Sequence, residues 1–400
     1  MWTRSIVLAA GLAIAVAEPA SAQKKYDPGA SDTEIKIGQT MPYSGPLSSY
    51  STIGKLEGAY FRMLNESGGI GGRKINFISV DDAYSPPKTV EQIRRLVESD
   101  GVLFTFNTMG TPTNSAIQKY MNINKVPMLF VAAGASKWND PRHFPWTMGW
   151  PQSYREEGQQ FARYVLRTVA DPKIAILSQN DDLGKDFVAG FKGELGEKAD
   201  KLIVKELTYQ PSDPTIESQV VTLQASGANV FFDVAVSKFA AQAIRKAHEL
   251  SWRPLHLLIS NSSSIAGTMA VAGLEASKDI VTSITYKDVE DDQWKKDPDV
   301  AEYLEFMKKE YSGGDVTDLF NAYAYAAVHI MQKVLEQCGD DLTRENVMRQ
   351  AANLKDVKLP MLLPGIVINT SADDYAVLKQ SRLARFDGKR WAMIEDDKSQ

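Results

Sequence analysis

Strand-like and helix-like segments alternate from residue 34 to residue 260, and that alternation restricts the chain to very few folds. "EIKIGQT" (34–40) is a short strand. After a polar loop, "IGKLEGAYFRMLNES" (53–67) sets Leu56, Tyr60, Phe61 and Leu64 at helical spacing. "GGIGG" (68–72) stops that helix, and "KINFISVDD" (74–82) is the next strand. "SPPKTVEQIRRLVES" opens with prolines that suit a first helical turn. "GVLFTF" (101–106) and "VPMLFVAA" (126–133) flank a further helix that reaches about Asn122. The second of these strands has almost no polar residue, as a parallel strand covered on both faces should. The series then restarts with a helix over 155–169. Strands over 173–180, 201–209, 229–236 and 254–260 follow, with helical segments between them. Repeated βα units with short loops predict an α/β protein with parallel sheets and right-handed crossovers, and two series of similar size predict two domains.

"DPRHFPWTMGWPQSY" (140–154) lies between the two series, rich in proline and aromatics and without helical period, and reads as an interdomain crossover. "IVTSITYKDVEDD" (280–292) is a second. Helices over 299–311 and 317–337 come next, then a third near 343–354. A terminal hairpin over 381–395 has Asp387-Gly388 at its turn.

The first residues predict export. Arg4 precedes an apolar run from Ile6 to Ala17, and Ala20 and Ala22 stand at the small-residue positions of a cleavage site. This is the pattern of a secretory signal peptide over 1–22, cleaved near Ala22, with a periplasmic destination. The run is shorter than the about 20 residues a membrane span needs, and no cysteine follows it to carry a lipid. Cys338 is the only cysteine, so no intramolecular disulfide forms and apolar burial must hold the fold. The net charge of −5 comes without a basic stripe interleaved with aromatics, which argues against a nucleic-acid partner.

Catalytic constellations are missing from the sequence. His143, His248, His256 and His329 stand apart, without metal-ligand spacing to cysteine or acid. No G-x-S-x-G elbow and no P-loop occurs. Asp81-Asp82 and Asp181-Asp182 would repel one another as catalytic pairs. A non-enzyme with no cofactor and no metal is the expectation.

"NTMGTPT" (107–113) is the turn most suggestive of binding. A helix start leaves NH groups unpaired and carries partial positive charge, so it can hold a carboxylate without lysine or arginine. Gly110 permits close approach, Thr111 is placed as the N-cap and Pro112 as the first helical residue. The same turn also suits an ordinary capped helix.

"IKIGQTMPYSGPLSSYSTIGKLEGAYFRMLNESGGIGGRKINFISVDDAYSPPKTVEQIRRLV" resembles the opening domain of the leucine/isoleucine/valine-type periplasmic solute-binding proteins of ABC importers. "VPMLFVAAGAS", "ILSQNDDLGKDF" and "LTRENVMRQAANLKDVKLPMLLPGIVINTS" continue the likeness over about residues 32–395. The resemblance implies the type I periplasmic binding protein fold, two doubly wound parallel-sheet lobes joined by three crossovers. It implies lobe 1 over 32–148 plus 284–377 and lobe 2 over 149–283 plus 378–396. It implies a ligand carboxylate held in the first lobe at two loops, here Thr108, Met109, Gly110 and Thr111 with Ala132, Ala133, Gly134 and Ala135. Ser44 and Tyr50 would line the cleft from the first loop, and Tyr154, Asp182, Leu183, Val236 and Ser262 from the second lobe. An ABC permease is the implied partner of a monomer that closes about its hinge. A ligand-sensing receptor acting on a separate membrane sensor is the alternative.

One departure bears on the ligand. Family members that take amino acids place an acid in the second lobe against the ammonium, but "LLISNSSSIAG" (257–267) has none. Asp181, Asp182 or Asp233 would have to supply the charge. Two ligand classes remain: an amino acid, branched-chain or other, and an amine-free acid such as an aromatic carboxylate. Trp138, Trp146, Trp150 and Tyr154 are candidates for apolar walls.

Overall fold

The computed structural model describes residues 24–394; the signal-peptide reading of 1–22 lies outside them. Two sheets carry the architecture. The first has five parallel strands in the order Lys74–Asp81, Glu34–Met41, Phe104–Phe106, Met128–Val131 and Thr147–Gly149. The second has seven, in the order Trp391–Met393, Arg382–Phe386, Val281–Ile284, Leu255–Leu258, Val230–Val234, Ile174–Gln179 and Ile203–Tyr209. Its last five are parallel and the terminal hairpin is antiparallel. Strand order reverses beside Glu34–Met41 in one sheet and beside Ile174–Gln179 in the other. In open α/β sheets the crevice beyond the strands' carboxyl ends at such a reversal is where ligands bind.

Met128–Val131 and Val230–Val234 are buried throughout, as their apolar runs predict. The two expected crossovers carry more structure than their sequence suggests. Residues 140–154 include the strand Thr147–Gly149, and residues 280–292 open with the strand Val281–Ile284. The chain then returns to the first lobe, where the helix Leu319–Cys338 packs against Ser51–Glu66. The third crossing leads into the hairpin. Its turn spans Asp387 to Arg390, with the Asp387 carboxylate accepting from the Lys389 and Arg390 NH groups at 2.8 Å. A short strand without any signal in the sequence, Lys25–Tyr26, lies parallel to Asp341–Leu342.

Glu57, inside the helix Ser51–Glu66, is fully buried and, among the described residues, accepts only from the Gln39 side chain. Burial pushes its pKa well above the ordinary value, and the Gln39 bond opposes this. A raised folded-state pKa gives stability that is complete below the unfolded value of about 4.3 and declines as pH rises. Glu57→Gln keeps the shape and the bond from Gln39. The melting temperature of this variant, relative to the parent, should therefore climb from pH 4 to about pH 8. A difference that does not change with pH would contradict a neutral buried acid.

Candidate functional site

The two sheets direct their strand ends at one another, and the loops meet. The Tyr50 hydroxyl donates to the Asn261 carbonyl at 2.8 Å, and Asn261 Nδ2 donates to the Tyr154 hydroxyl at 3.0 Å. Tyr50, Tyr84, Tyr154 and Tyr209 are all buried there. Tyr84 lies beside Gln179 and Asp181, and Tyr209 donates to Gln179 Oε1 at 3.1 Å while accepting from the Val236 NH at 3.0 Å. Burial pushes all four phenols up, Tyr154 to about 12, so they stay neutral and serve as hydrogen-bonding groups.

Three polar atoms at this junction are buried without a well-formed hydrogen bond: Thr111 Oγ1, Ser237 Oγ and Asn261 Oδ1. The first two lie against the hydroxyls of Tyr154 and Tyr50, which already bond to Asn261. Buried polar atoms nearly always have partners, so the lobes meet here with hydrogen-bonding capacity to spare.

Beside the cluster lies a cavity of about 80 Å³, room for several water-sized groups. Tyr50, Met109 and Ala132 line it from the first lobe, with Phe320 and Tyr323. Glu157, Ser260 and Asn261 line it from the second, and Gln152 and Tyr286 from the crossings.

The other expected residues have different positions. Gly110 (φ +99°) is the N-cap and Thr111 the first residue of the helix Thr111–Ile123, one step earlier than expected. A Cβ on Gly110 would lie 2.4 Å from the Tyr84 ring, so only glycine fits there. The Gly110 NH donates to the Ala132 carbonyl at 3.2 Å, which leaves later first-turn NH groups for a ligand. Thr108 turns away, its hydroxyl donating to Asn114 Oδ1 at 2.5 Å. Ala133, Gly134 and Ala135 line a separate surface pocket of about 360 Å³ with Ser153 and Glu156. Ser44 is exposed and holds the Asp81 carboxylate. Leu183 is core, Val236 precedes the helix Ser237–Glu249, and Ser262 Oγ donates to the Ala235 carbonyl at 2.7 Å. Trp138 and Trp150 are buried and Trp146 half-buried, but none lines the cavity; its aromatic walls are Tyr50, Tyr286, Phe320 and Tyr323.

None of the three acids considered for an ammonium lines the cavity. Asp181 caps a helix through the Leu183 and Gly184 NH groups, and Asp233 is buried against His256 at 3.1 Å. Asp182 pairs across the lobes with Lys137 at 2.7 Å, which holds its carboxyl below the usual range. This pair is partly exposed, and such pairs are worth about 0.2–1 kcal/mol. Lys137→Ala should therefore weaken ligand affinity by no more than about five-fold, and less at high salt, by calorimetric titration. A larger loss would give Lys137 a direct role at the ligand.

The acid that does line the cavity is Glu157, which the sequence reading missed. A signal was present. Tyr154, Glu157, Phe161 and Tyr164 fall on one face of the helix Tyr154–Thr168, and all four are buried.

A family model described as periplasmic binding protein matches residues 34–398. The Leu/Ile/Val-binding protein homolog 3 of Brucella melitensis biotype 1 is 23% identical over 318 residues, 76% of this chain and 80% of that protein. A branched chain amino acid ABC transporter structure from Thermus thermophilus with bound valine superposes with a TM-score of 0.80 at 15% identity, covering 91% of this chain and 96% of that one. An ABC transporter solute binding protein from R. palustris in complex with benzoate gives 0.75 at 19% identity, covering 90% and 95%. With nearly the whole described chain inside the family model, and two doubly wound sheets in its fold, the chain belongs to the periplasmic binding protein family.

Proposed function

We propose that this solute-binding protein captures a small carboxylate-bearing ligand between its lobes and presents it to an ABC permease. The observation that carries this is the group of buried polar atoms without a well-formed hydrogen bond, Thr111 Oγ1, Ser237 Oγ and Asn261 Oδ1, drawn from both lobes beside the cavity. The ligand carboxylate docks at the start of the helix Thr111–Ile123, where unpaired NH groups and the helix field favour an anion. Tyr50, Met109, Gly110 and Ala132 hold it on the first lobe; Tyr154, Ser260 and Asn261 shape the second. The lobes divide at 148/149, 283/284 and 377/378, and these crossings act as the hinge. Closure follows because the ligand makes its full set of contacts only in the closed form. Family membership implies a periplasmic location.

A thermal-shift panel on ligand-stripped protein tests this. Leucine, isoleucine, valine and phenylalanine stand beside benzoate and aliphatic acids. A ligand at 100 times its Kd adds about 2.7 kcal/mol of apparent stability, and at least one member should produce such a shift. A panel without any shift would contradict the carboxylate reading.

A further inference from the structure

A helix of the second sheet grips a turn of the first, and does so away from the solute cavity. The helix Asp182–Leu195 follows the strand Ile174–Gln179, and the turn Ser136–Trp138 follows the strand Met128–Val131. One oxygen of the Asp186 carboxylate accepts from the Ser136 NH at 2.6 Å, and the other accepts from the Ser136 hydroxyl at 3.1 Å. Arg155, at the start of the helix Tyr154–Thr168, donates to the same carboxylate at 3.3 Å and fixes its orientation. The Asp186 side chain is only 13% exposed, so water competes little for these bonds. One turn earlier on the same helix face, Asp182 accepts from the Lys137 ammonium at 2.7 Å. Lys137 also donates to Ser115 Oγ at 2.6 Å, on the helix Thr111–Ile123.

The two carboxylates differ in weight. Asp182 and Lys137 are both partly exposed, and such pairs are weak. Asp186 is better covered, and its closest partner is a main-chain NH that cannot swing to another acceptor. None of Ser115, Ser136, Lys137, Asp182 and Asp186 lines the central cavity.

We propose that Asp186 is an interlobe clasp, a positioning residue that holds the lobes shut through Ser136 and sets how long any solute stays. This rests on the reading above that the solute is enclosed between the lobes. Parting the lobes exchanges the bonds to Ser136 for bonds to water, so the clasp stabilises the closed form alone. An enclosed solute leaves only once the lobes open. Contacts present only in the closed form therefore slow departure, and contacts not yet made at encounter leave arrival nearly unchanged. Because the clasp touches no part of the solute, its effect on dissociation is one common factor for every solute. A residue at the ligand would change different solutes by different factors.

The test is stopped-flow fluorescence of association and dissociation, with leucine, phenylalanine and benzoate as probes. Dissociation should be about 10–100-fold faster in Asp186→Ala than in wild type, the range for hydrogen bonds to a charged group. The factor should be the same for each probe that binds, with association changed less than about three-fold. Asp186→Asn keeps one acceptor and should fall between the two. Ser136→Ala removes the hydroxyl and keeps the NH; it should speed dissociation about 2–10-fold, and add nothing when combined with Asp186→Ala. Unchanged dissociation in Asp186→Ala, or factors that differ between probes, would overturn the clasp. Ser136→Ala, the loss of a single hydroxyl on a half-buried turn, decides the matter if Asp186→Ala fails to fold. Binding of none of the probes would tell against the carboxylate reading, and the clasp is then decided without a solute. Small-angle scattering of ligand-free Asp186→Ala should give a larger radius of gyration than wild type, and equal radii would overturn the clasp as well.

Discussion

Gly190→Ala is expected to destabilise the second lobe by about 2 kcal/mol or more and to weaken ligand binding, although helix propensity alone predicts the opposite sign. In a helix interior, alanine is favoured over glycine by about 1 kcal/mol. Here Gly190 lies where its helix, Asp182–Leu195, crosses Tyr154–Thr168. A Cβ on Gly190 would stand 2.0 Å from the Arg155 carbonyl oxygen, and one on Gly158 would stand 2.3 Å from the Phe187 carbonyl oxygen. Both obstacles are backbone, so neither can rotate aside. The helices must separate, and overpacking of this kind costs about 1–3 kcal/mol, occasionally more. Steric cost outweighs propensity. Tyr154 stacks on Phe187 at 4.5 Å on that same crossing and accepts from Asn261, which in turn accepts from Tyr50. Separation of the helices therefore propagates to the contact between the lobes. Urea unfolding and titration with the best ligand of the panel measure the two effects. A more stable variant would show that the crossing has slack.

Trp150→Ala should cost about 3–5 kcal/mol, the range for removing a large buried aromatic. Trp150 follows the strand Thr147–Gly149 in the first crossing and is fully buried. Its Nε1 donates to the Tyr286 hydroxyl at 3.1 Å, which ties the first crossing to the second. Its ring meets Phe130 at 5.9 Å and Tyr323 at 6.3 Å, both nearly edge-on. Removing it leaves a void under the hinge and strips the Tyr286 hydroxyl of its donor. Tyr286 and Tyr323 are also cavity walls, so affinity should fall together with stability. Trp150→Phe restores much of the packing but not the NH, and should recover most of the stability with a residual loss of about 1–3 kcal/mol. Equal losses in the two variants would place the whole effect on the hydrogen bond; no loss in either would remove Trp150 from the hinge.

Much of this architecture could be read in advance, for physical reasons. Parallel strands covered on both faces show up as unbroken apolar runs such as "VPMLFVAA", with glycine and proline marking the ends of the helices. Thr147–Gly149 was hidden because three residues between Pro145 and Pro151 carry no period; pairing with Met128–Val131 makes them a strand. At the site, Gly110 and Tyr50 were visible, the first from turn chemistry and the second from the resemblance. Phe320 and Tyr323 were not, since they arrive from a helix more than two hundred residues along the chain. Glu157 stands on the apolar face of its helix, but the exposed Glu156 beside it hides that placement in the sequence. No acid lies beside Ser262 in the cavity wall; the acid among the described lining residues is on the helix Tyr154–Thr168, held by Ser260.

Hydrogen exchange with and without the best ligand of the panel tests most directly that the solute binds between the lobes. Protection should rise together at 107–113 and around Tyr50 in the first lobe, and at 235–238 and 259–263 in the second. Protection confined to one lobe, or centred on the surface pocket formed by 133–135 and 375–378, would contradict it.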